Sequence, residues 1–375
     1  PSIADPFLPK KIEEGRIEDI RECIGCNMCV AGDHTMVPMR CTQNPSVGEE
    51  WRRGWHPERI RPKSTATKVL VIGAGPAGLE AVMMAAKRGY DVALAEKTTV
   101  LGGRVAKERL LPGLSAWGRV ADYRIGQIER MSNVEIYRDS DLTADDVLGF
   151  GFEHMAVAAG STWRRDGVAR YLLNPAPIAG DAEVLTPDDI MAGERPSGKA
   201  VTIYDDDHYY MGGVLAELLV TAGHQVTLVT PAADASNWMR NTMEQFRVQA
   251  RLLELGVRLI THHGLGSVER GQFNASCVFT GRTMIIETDA TVLVSARLPQ
   301  NALSQALQAR QGEWADAGIK SVAVIGDALS PGTIAACVWS GRRFAEELEE
   351  TRDPDAPLFK REVTGLVAGP MPWEQ

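Results

Sequence analysis

Apolar positions along the chain fall into two successive cycles of strand-length and helix-length patterns. The first is "KVLVIGAGPAGLEAVMMAAKRGYDVALAEK". It predicts a strand, a glycine-rich turn, a helix and a second strand, the opening of a βαβ unit. "HMAVAAGS" at 154–161 predicts another short buried strand ending at Gly160. The second cycle runs from strand "KAVTIYDDD" through helix "GGVLAELLVTAGH" to strand "QVTLVTP", and a helix near 241–255 and strand "VRLITHH" extend it. Alternating apolar residues and turn glycines over 265–297 predict hairpins. "SVAVIGDA" at 321–328 predicts a late buried strand, followed by a helix through "FAEELEE". At the front, "PSIADPFLPKKIEEGRIEDI" predicts a helix from about Pro6. Its few apolar residues (Phe7, Leu8, Ile12, Ile17, Ile20) cannot form a core alone. The segment reads as the end of something upstream, so the chain is expected to be a fragment or one subunit of a split enzyme.

These patterns divide the chain. Residues 1–65 are a leading segment and connecting arm. Residues 66–172 with 291–350 form a first α/β unit, and 173–290 form a similar unit inserted into it. Residues 351–375, rich in Pro and Gly, are expected to be irregular.

Composition changes the picture little. The 375 residues are 44% apolar and 24% charged, ordinary for a globular chain large enough for two or three domains. A net charge of −9 without a basic run argues against nucleic-acid and anionic-membrane partners. The apolar runs are strand-sized, with no membrane span and no secretory signal, so a cytoplasmic protein is expected.

Cysteine placement changes it more. Cys23, Cys26, Cys29 and Cys41 stand as C-x2-C-x2-C-x11-C, while Cys277 and Cys337 are isolated among apolar residues and are expected to be buried core thiols. Two-residue gaps let one tight loop aim three thiolates at a common centre, and Cys41 closes the site. The start matches that of bacterial ferredoxin runs and suits a 4Fe–4S cluster. Zinc is the competing reading, although structural zinc sites favour two separate C-x2-C knuckles. Gly25 and Asn27 are placed to supply turns and backbone donors to sulfur.

The turn Gly73-Ala74-Gly75-Pro76-Ala77-Gly78 follows a strand and opens a helix. Gly73 suits a tight turn, Gly75 close approach of a pyrophosphate, and Gly78 close helix packing. Phosphates favour such a helix N-terminus. Glu96 ends the next strand, 18 residues after Gly78, and is placed to accept from an adenosine ribose, with Lys97 beside it. "LGGR", with Gly102, Gly103 and Arg104, resembles a turn that two-dinucleotide-binding flavoproteins often have near the nucleotide. The late "IGD" resembles their motif in which the Asp reaches a flavin's ribityl chain, and Asp327 has a second reading as a helix N-cap. In the second unit the glycine turn is replaced by "DDDHYYMGG". Asp205, Asp206 and Asp207 would set carboxylates against a pyrophosphate, and the tyrosines are bulky, so nicotinamide dinucleotide binding is disfavoured. Gly212 and Gly213 are expected to start a helix.

Together "CIGCNMC", "CTQN", "EEWRRGWHPE", "VIGAGPAGLEA" and "YYMGGVLAE" make the chain resemble the C-terminal half of the trimethylamine dehydrogenase family, which includes dimethylamine and histamine dehydrogenases and betaine and dimethylglycine demethylases. The resemblance implies an α/β fold of two Rossmann-like three-layer units of the disulfide-reductase/adrenodoxin-reductase type. A cysteine-rich 4Fe–4S segment precedes them, the first helix is a barrel remnant, and the N-terminal TIM barrel is expected to be absent. It further implies that amine is oxidised at an FMN on that missing barrel, carried on the same polypeptide or a separate subunit. Electrons then pass through the cluster on Cys23, Cys26, Cys29 and Cys41 to electron-transfer flavoprotein. ADP is implied in the first glycine turn, with FAD as the alternative, and a homodimer for the full-length form. Tyr209 corresponds to a surface tyrosine linked to electron exit; its other reading is a packed aromatic. Glu22 stands where some relatives have an apolar residue. No catalytic residue is expected within this chain. Two other functions compete: an NADPH- and FAD-dependent reductase of the dienoyl-CoA reductase kind, and a non-catalytic nucleotide-binding scaffold.

Overall fold

The computed structural model describes residues 2–350; the expected irregular tail at 351–375 lies outside them. These residues divide into two compact units. The first comprises 2–106, 118–160 and 300–350, and the second 107–117 and 161–299.

The first unit is built on a five-stranded parallel sheet. Its strands are β1 (Lys68–Ile72), β2 (Asp91–Ala95), β3 (Val134–Tyr137), β4 (His154–Val157) and β15 (Ser321–Val324), in the order β15-β4-β1-β2-β3. After the exposed Lys68, "VLVI" is continuously apolar because a central parallel strand is buried on both faces. Side chains alternate, so Val69 and Val71 join one core while Leu70 and Ile72 join another. The helix Pro76–Lys87 packs on the first of these faces. Against it lies the helix Ile334–Glu347, at backbone distance: a Cβ at Gly341 would stand 2.1 Å from the Ala77 carbonyl oxygen.

The leading segment belongs to this unit. Its helix Leu8–Glu13 has few apolar contacts and is fixed instead by a buried ion pair. Lys11 Nζ lies 2.7 Å from Asp5 and 3.0 Å from Glu58, and donates to the Asp19 carbonyl at 2.8 Å.

The second unit has its own five-stranded parallel sheet. The strands are β6 (Val184–Leu185), β7 (Ala200–Asp205), β8 (Gln225–Val229), β9 (Arg258–Ile260) and β13 (Ala290–Val294), in the order β6-β13-β7-β8-β9. A three-stranded antiparallel sheet joins it: β10 (His263–Glu269), β11 (Gln272–Cys277) and β12 (Thr283–Glu287). Tyr204, Val229, Phe273, Ile286 and Leu293 bring the two sheets into one core. A short pair, β5 (Ser161–Trp163) with β14 (Arg297–Pro299), completes the unit.

Two expectations need correction. The hairpin region ends at β12, because Ala290–Val294 is a fully buried parallel strand between β6 and β7. A continuous apolar block is the mark of such a strand, not of a half-exposed hairpin. Cys277 and Cys337 are not buried core thiols but half-exposed. Cys277 ends a strand of the small sheet, and Cys337 packs at the margin of the first core.

Candidate functional site

The cysteine segment is a short loop leading into the helix Met28–His34. Gly25 (φ +69°) and Asn27 (φ +52°) both take left-handed backbone, which lets the chain reverse between successive cysteines. Cys23 is exposed, and Cys26, Cys29 and Cys41 are half-buried.

Donors turn toward the sulfurs. The Gly25 N–H points to Cys23 Sγ at 3.4 Å and the Gln43 N–H to Cys41 Sγ at 3.4 Å. Cys26 Sγ and Thr42 Oγ1 are 3.1 Å apart. Burial pushes the Cys26 and Cys41 thiols up, and their neighbouring cysteines add to it. Burial thus disfavours free thiolates at Cys26 and Cys41, a cost that a positive centre held between the sulfurs would offset.

Among the described residues no group of three or more His, Cys, Asp and Glu converges to hold a single metal ion. A four-iron cluster takes one thiolate at each of four corners.

The segment is braced from outside. Arg124, fully buried, donates to the Gln43 side-chain and main-chain oxygens at 3.0 Å each, and its Nε lies 2.7 Å from Glu80 on the Pro76–Lys87 helix. Gln43 Nε2 donates to the Glu22 carbonyl at 2.9 Å. The Glu22 carboxylate pairs with Arg119 at 2.9 Å, and Arg119 also donates to the Cys23 carbonyl. Gln43 and Glu80 lie within motifs the sequence marked, but their partner Arg124 does not stand out, because a buried ion pair leaves no local signature.

The glycine turn forms as expected. Gly73 has φ +103°, and a Cβ there would lie 2.4 Å from the Ala158 carbonyl oxygen. A Cβ at Gly78 would lie 1.9 Å from the Gly73 oxygen. Gly75 differs. Its backbone is ordinary, with φ −72°, and a Cβ would meet nothing within 4 Å. Open space therefore faces the start of the helix, beside Pro76 and Ala77, where free N–H groups favour an anion. Gly103 leans on the turn, its Cβ position 2.9 Å from Gly75 Cα, and Arg104 begins the next helical segment.

Glu96 is buried and already holds backbone groups of the turn. Its Oε2 accepts from the Ala74 N–H at 2.8 Å, and its Oε1 from the Thr98 N–H and hydroxyl at 3.0 and 2.9 Å. It braces the turn itself. Lys97 is exposed. Asp327 follows β15 at Gly326, whose would-be Cβ lies 2.6 Å from Ala77. The carboxylate accepts from the Gly332 N–H at 2.9 Å and the Cys337 thiol at 3.1 Å. The N-cap alternative for Asp327 is withdrawn. Thr333 caps the following helix, accepting from the Ala336 N–H, and Asp327 closes the loop ahead of it.

In the second unit the aspartates do not all face a ligand. Asp205 and Asp206 are fully buried. Asp205 Oδ1 accepts from the His208 N–H at 2.9 Å, and its other oxygen, without a hydrogen bond, lies where a Cβ on Gly212 would be 2.6 Å away. Asp206 accepts from the Tyr171 N–H at 2.9 Å and lies 3.1 Å from His208 Nε2. Burial raises Asp205 to about 7 and pushes Asp207 up as well. The helix Met211–Thr221 starts at Gly212 and Gly213 as expected, with the Asp205 carboxyl at its first turn.

Tyr209 sits in an aromatic group of the same unit. Its ring centroid is 4.8 Å from Trp238 and 4.7 Å from Tyr210, and Trp117 is 4.7 Å from Tyr210. The Tyr210 hydroxyl donates to Glu108 at 2.9 Å. Trp117 and Trp238 lie far from Tyr209 in sequence, and nothing local pointed to them.

Residues 185–289 match the OYE-like second alpha/beta domain, and residues 68–155 match the FAD dependent oxidoreductase family. Dimethylamine dehydrogenase of Hyphomicrobium sp. (strain x) is 39% identical over 389 positions, covering 96% of this chain and 53% of that protein. The structure of histamine dehydrogenase from Rhizobium sp. 4-9 superposes with a TM-score of 0.96 at 59% identity, covering 98% of this chain and 57% of the other. That of 6-hydroxypseudooxynicotine amine oxidase from Pseudomonas geniculata N1 gives 0.90 at 46% identity, covering 93% and 52%. The chain thus spans about half the length of the curated relatives it matches.

The expectation that the N-terminal barrel is absent is corrected by these matches. The chain matches the OYE-like second alpha/beta domain and superposes on 57% of histamine dehydrogenase, and neither match shows a barrel to be missing. By sequence and fold, the chain is a homologue of dimethylamine and histamine dehydrogenases and belongs to the trimethylamine dehydrogenase family of oxidoreductases.

Proposed function

We propose that this chain is the electron-transfer and nucleotide-binding portion of a flavin-dependent amine dehydrogenase or N-demethylase. A 4Fe–4S cluster is held by Cys23, Cys26, Cys29 and Cys41, and ADP by the turn Gly73–Gly78. When bound, the cluster supplies a site that accepts and releases single electrons. The chain's own residues do the rest. Gly25 and Gln43 direct N–H groups at sulfur, and Arg124 holds Gln43 in place through Glu80. Substrate oxidation is assigned to the family's FMN-bearing barrel and electron exit to an electron-transfer flavoprotein, with Tyr209 on the exit side. A homodimer is proposed for the full-length protein.

The observation that carries this reading is the convergence of sulfur-directed donors on a four-cysteine segment braced against the nucleotide helix. In the nucleotide site, the open face at Gly75 supports occupancy by a pyrophosphate. The buried Asp205 carboxyl at the first turn of the Met211–Thr221 helix takes the place an incoming phosphate would need, which disfavours NADPH as electron source. Iron and sulfide analysis of anaerobically purified protein, with electron paramagnetic resonance after dithionite, tests the cluster. A 4Fe–4S signal is expected, and stoichiometric zinc overturns the reading. Nucleotide released on denaturation should be ADP; a flavin spectrum retained after desalting favours FAD instead.

A further inference from the structure

The segment Cys41-Thr42-Gln43 places a hydroxyl where the cluster reading does not require one. Thr42 is 2% exposed, and its Oγ1 is 3.1 Å from Cys26 Sγ, at hydrogen-bond distance for a sulfur acceptor. The contact is held from both sides. Cys41 before it is a proposed ligand, and Gln43 after it is locked by Arg124 at 3.0 Å through two separate oxygens. The backbone at Thr42 is therefore held beside Cys26 by the neighbouring contacts.

We infer that Thr42 is a positioning residue that sets the reduction potential of the proposed cluster through an O–H···S bond to Cys26. This rests on the cluster reading above. The physical reason is charge. Reduction adds one electron to a centre whose thiolate sulfurs carry part of the added density. A donor fixed on one sulfur strengthens its bond as that density rises, so it favours the reduced form. Burial of Thr42 keeps water from substituting for the hydroxyl. In Thr42→Val the bulk is kept and the donor lost.

The test is potentiometric titration of the full protein, prepared anaerobically and followed by electron paramagnetic resonance. Wild type, Thr42→Val and Thr42→Ser are compared. Thr42→Val should favour the oxidised cluster about tenfold relative to wild type, a midpoint about 59 mV more negative for a one-electron couple. Thr42→Ser, which keeps the hydroxyl, should return close to wild type. Thr42→Ala removes the donor with less bulk and gives the same reading if valine interferes with folding. A cluster with unchanged midpoint in both donor-less variants overturns this inference alone. A shift of the same size in Thr42→Ser assigns the effect to packing and also overturns it. A wild-type protein that holds no cluster overturns the cluster reading and this inference with it.

Discussion

Gly75 and Gly78 look alike in the sequence and differ in what they would tolerate. At Gly78 a Cβ would collide with the Gly73 oxygen at 1.9 Å, so Gly78→Ala should destabilise the protein by about 1–3 kcal/mol as well as spoil the turn. At Gly75 the backbone is ordinary and the space is open. Gly75→Ala should leave stability within about 1 kcal/mol of wild type, while ADP affinity falls at least tenfold. Calorimetry and denaturant unfolding on both variants separate the two roles. Undiminished ADP binding in Gly75→Ala would count against nucleotide in this space.

Asp205 is a residue whose chemistry depends wholly on where it is buried. Burial raises its carboxyl to about 7, opposed by the nearby His208, whose N–H it accepts. The native protein therefore holds a proton there that the unfolded chain has already lost above the ordinary carboxylate range. The associated stability is fully present below about pH 4 and is lost as pH rises through about 7, on the order of 4 kcal/mol for the whole shift. Asp205→Asn keeps the acceptor for His208 and removes the titration. Urea unfolding at pH 5 and pH 8 should show the wild type weaker at pH 8 than the variant, with the difference much smaller at pH 5. Equal pH dependence in both proteins would refute the assignment.

At the scale of elements, the Pro76–Lys87 helix does two jobs. Its N-terminus faces the open space at Gly75, and its Glu80, one turn on, holds Arg124 and through it the cysteine segment. Arg124→Met leaves Glu80 buried without a partner, and a loss of about 3–5 kcal/mol is expected in denaturant unfolding. Pairing it with Glu80→Leu should recover much of that loss, because the stranded charge is then gone. If the double variant is as weak as the single, the bonds to Gln43 and not the ion pair carry the effect. The Ile334–Glu347 helix reaches the same element because Gly341 leaves room for the Ala77 backbone.

At the scale of the whole molecule, the proposed nucleotide would act as a stabilising ligand for the first unit. Binding only to the folded state, ADP at 100 times its Kd should add about 2.7 kcal/mol. Thermal melts with ADP and with FAD check this, and a much larger shift with FAD would reassign the site.

The sequence by itself determined the parallel strands β1, β2, β4, β7, β8, β9 and β15, the glycine turn, the cysteine spacing and the family, because each is a local pattern. An apolar block, a left-handed glycine or a C-x2-C step can be read within a few residues. The tertiary structure alone decided what surrounds them. It put Arg124 of one helix between Glu80 of another and Gln43 of the cysteine segment. It turned Asp205 and Asp206 inward, where the sequence suggested carboxylates facing a ligand. It made Ala290–Val294 a central parallel strand after a run of hairpins and gathered Trp117 and Trp238 around the Tyr209–Tyr210 pair. These contacts join residues far apart in the chain, and burial and pairing energies act through space without leaving a periodic trace along the sequence.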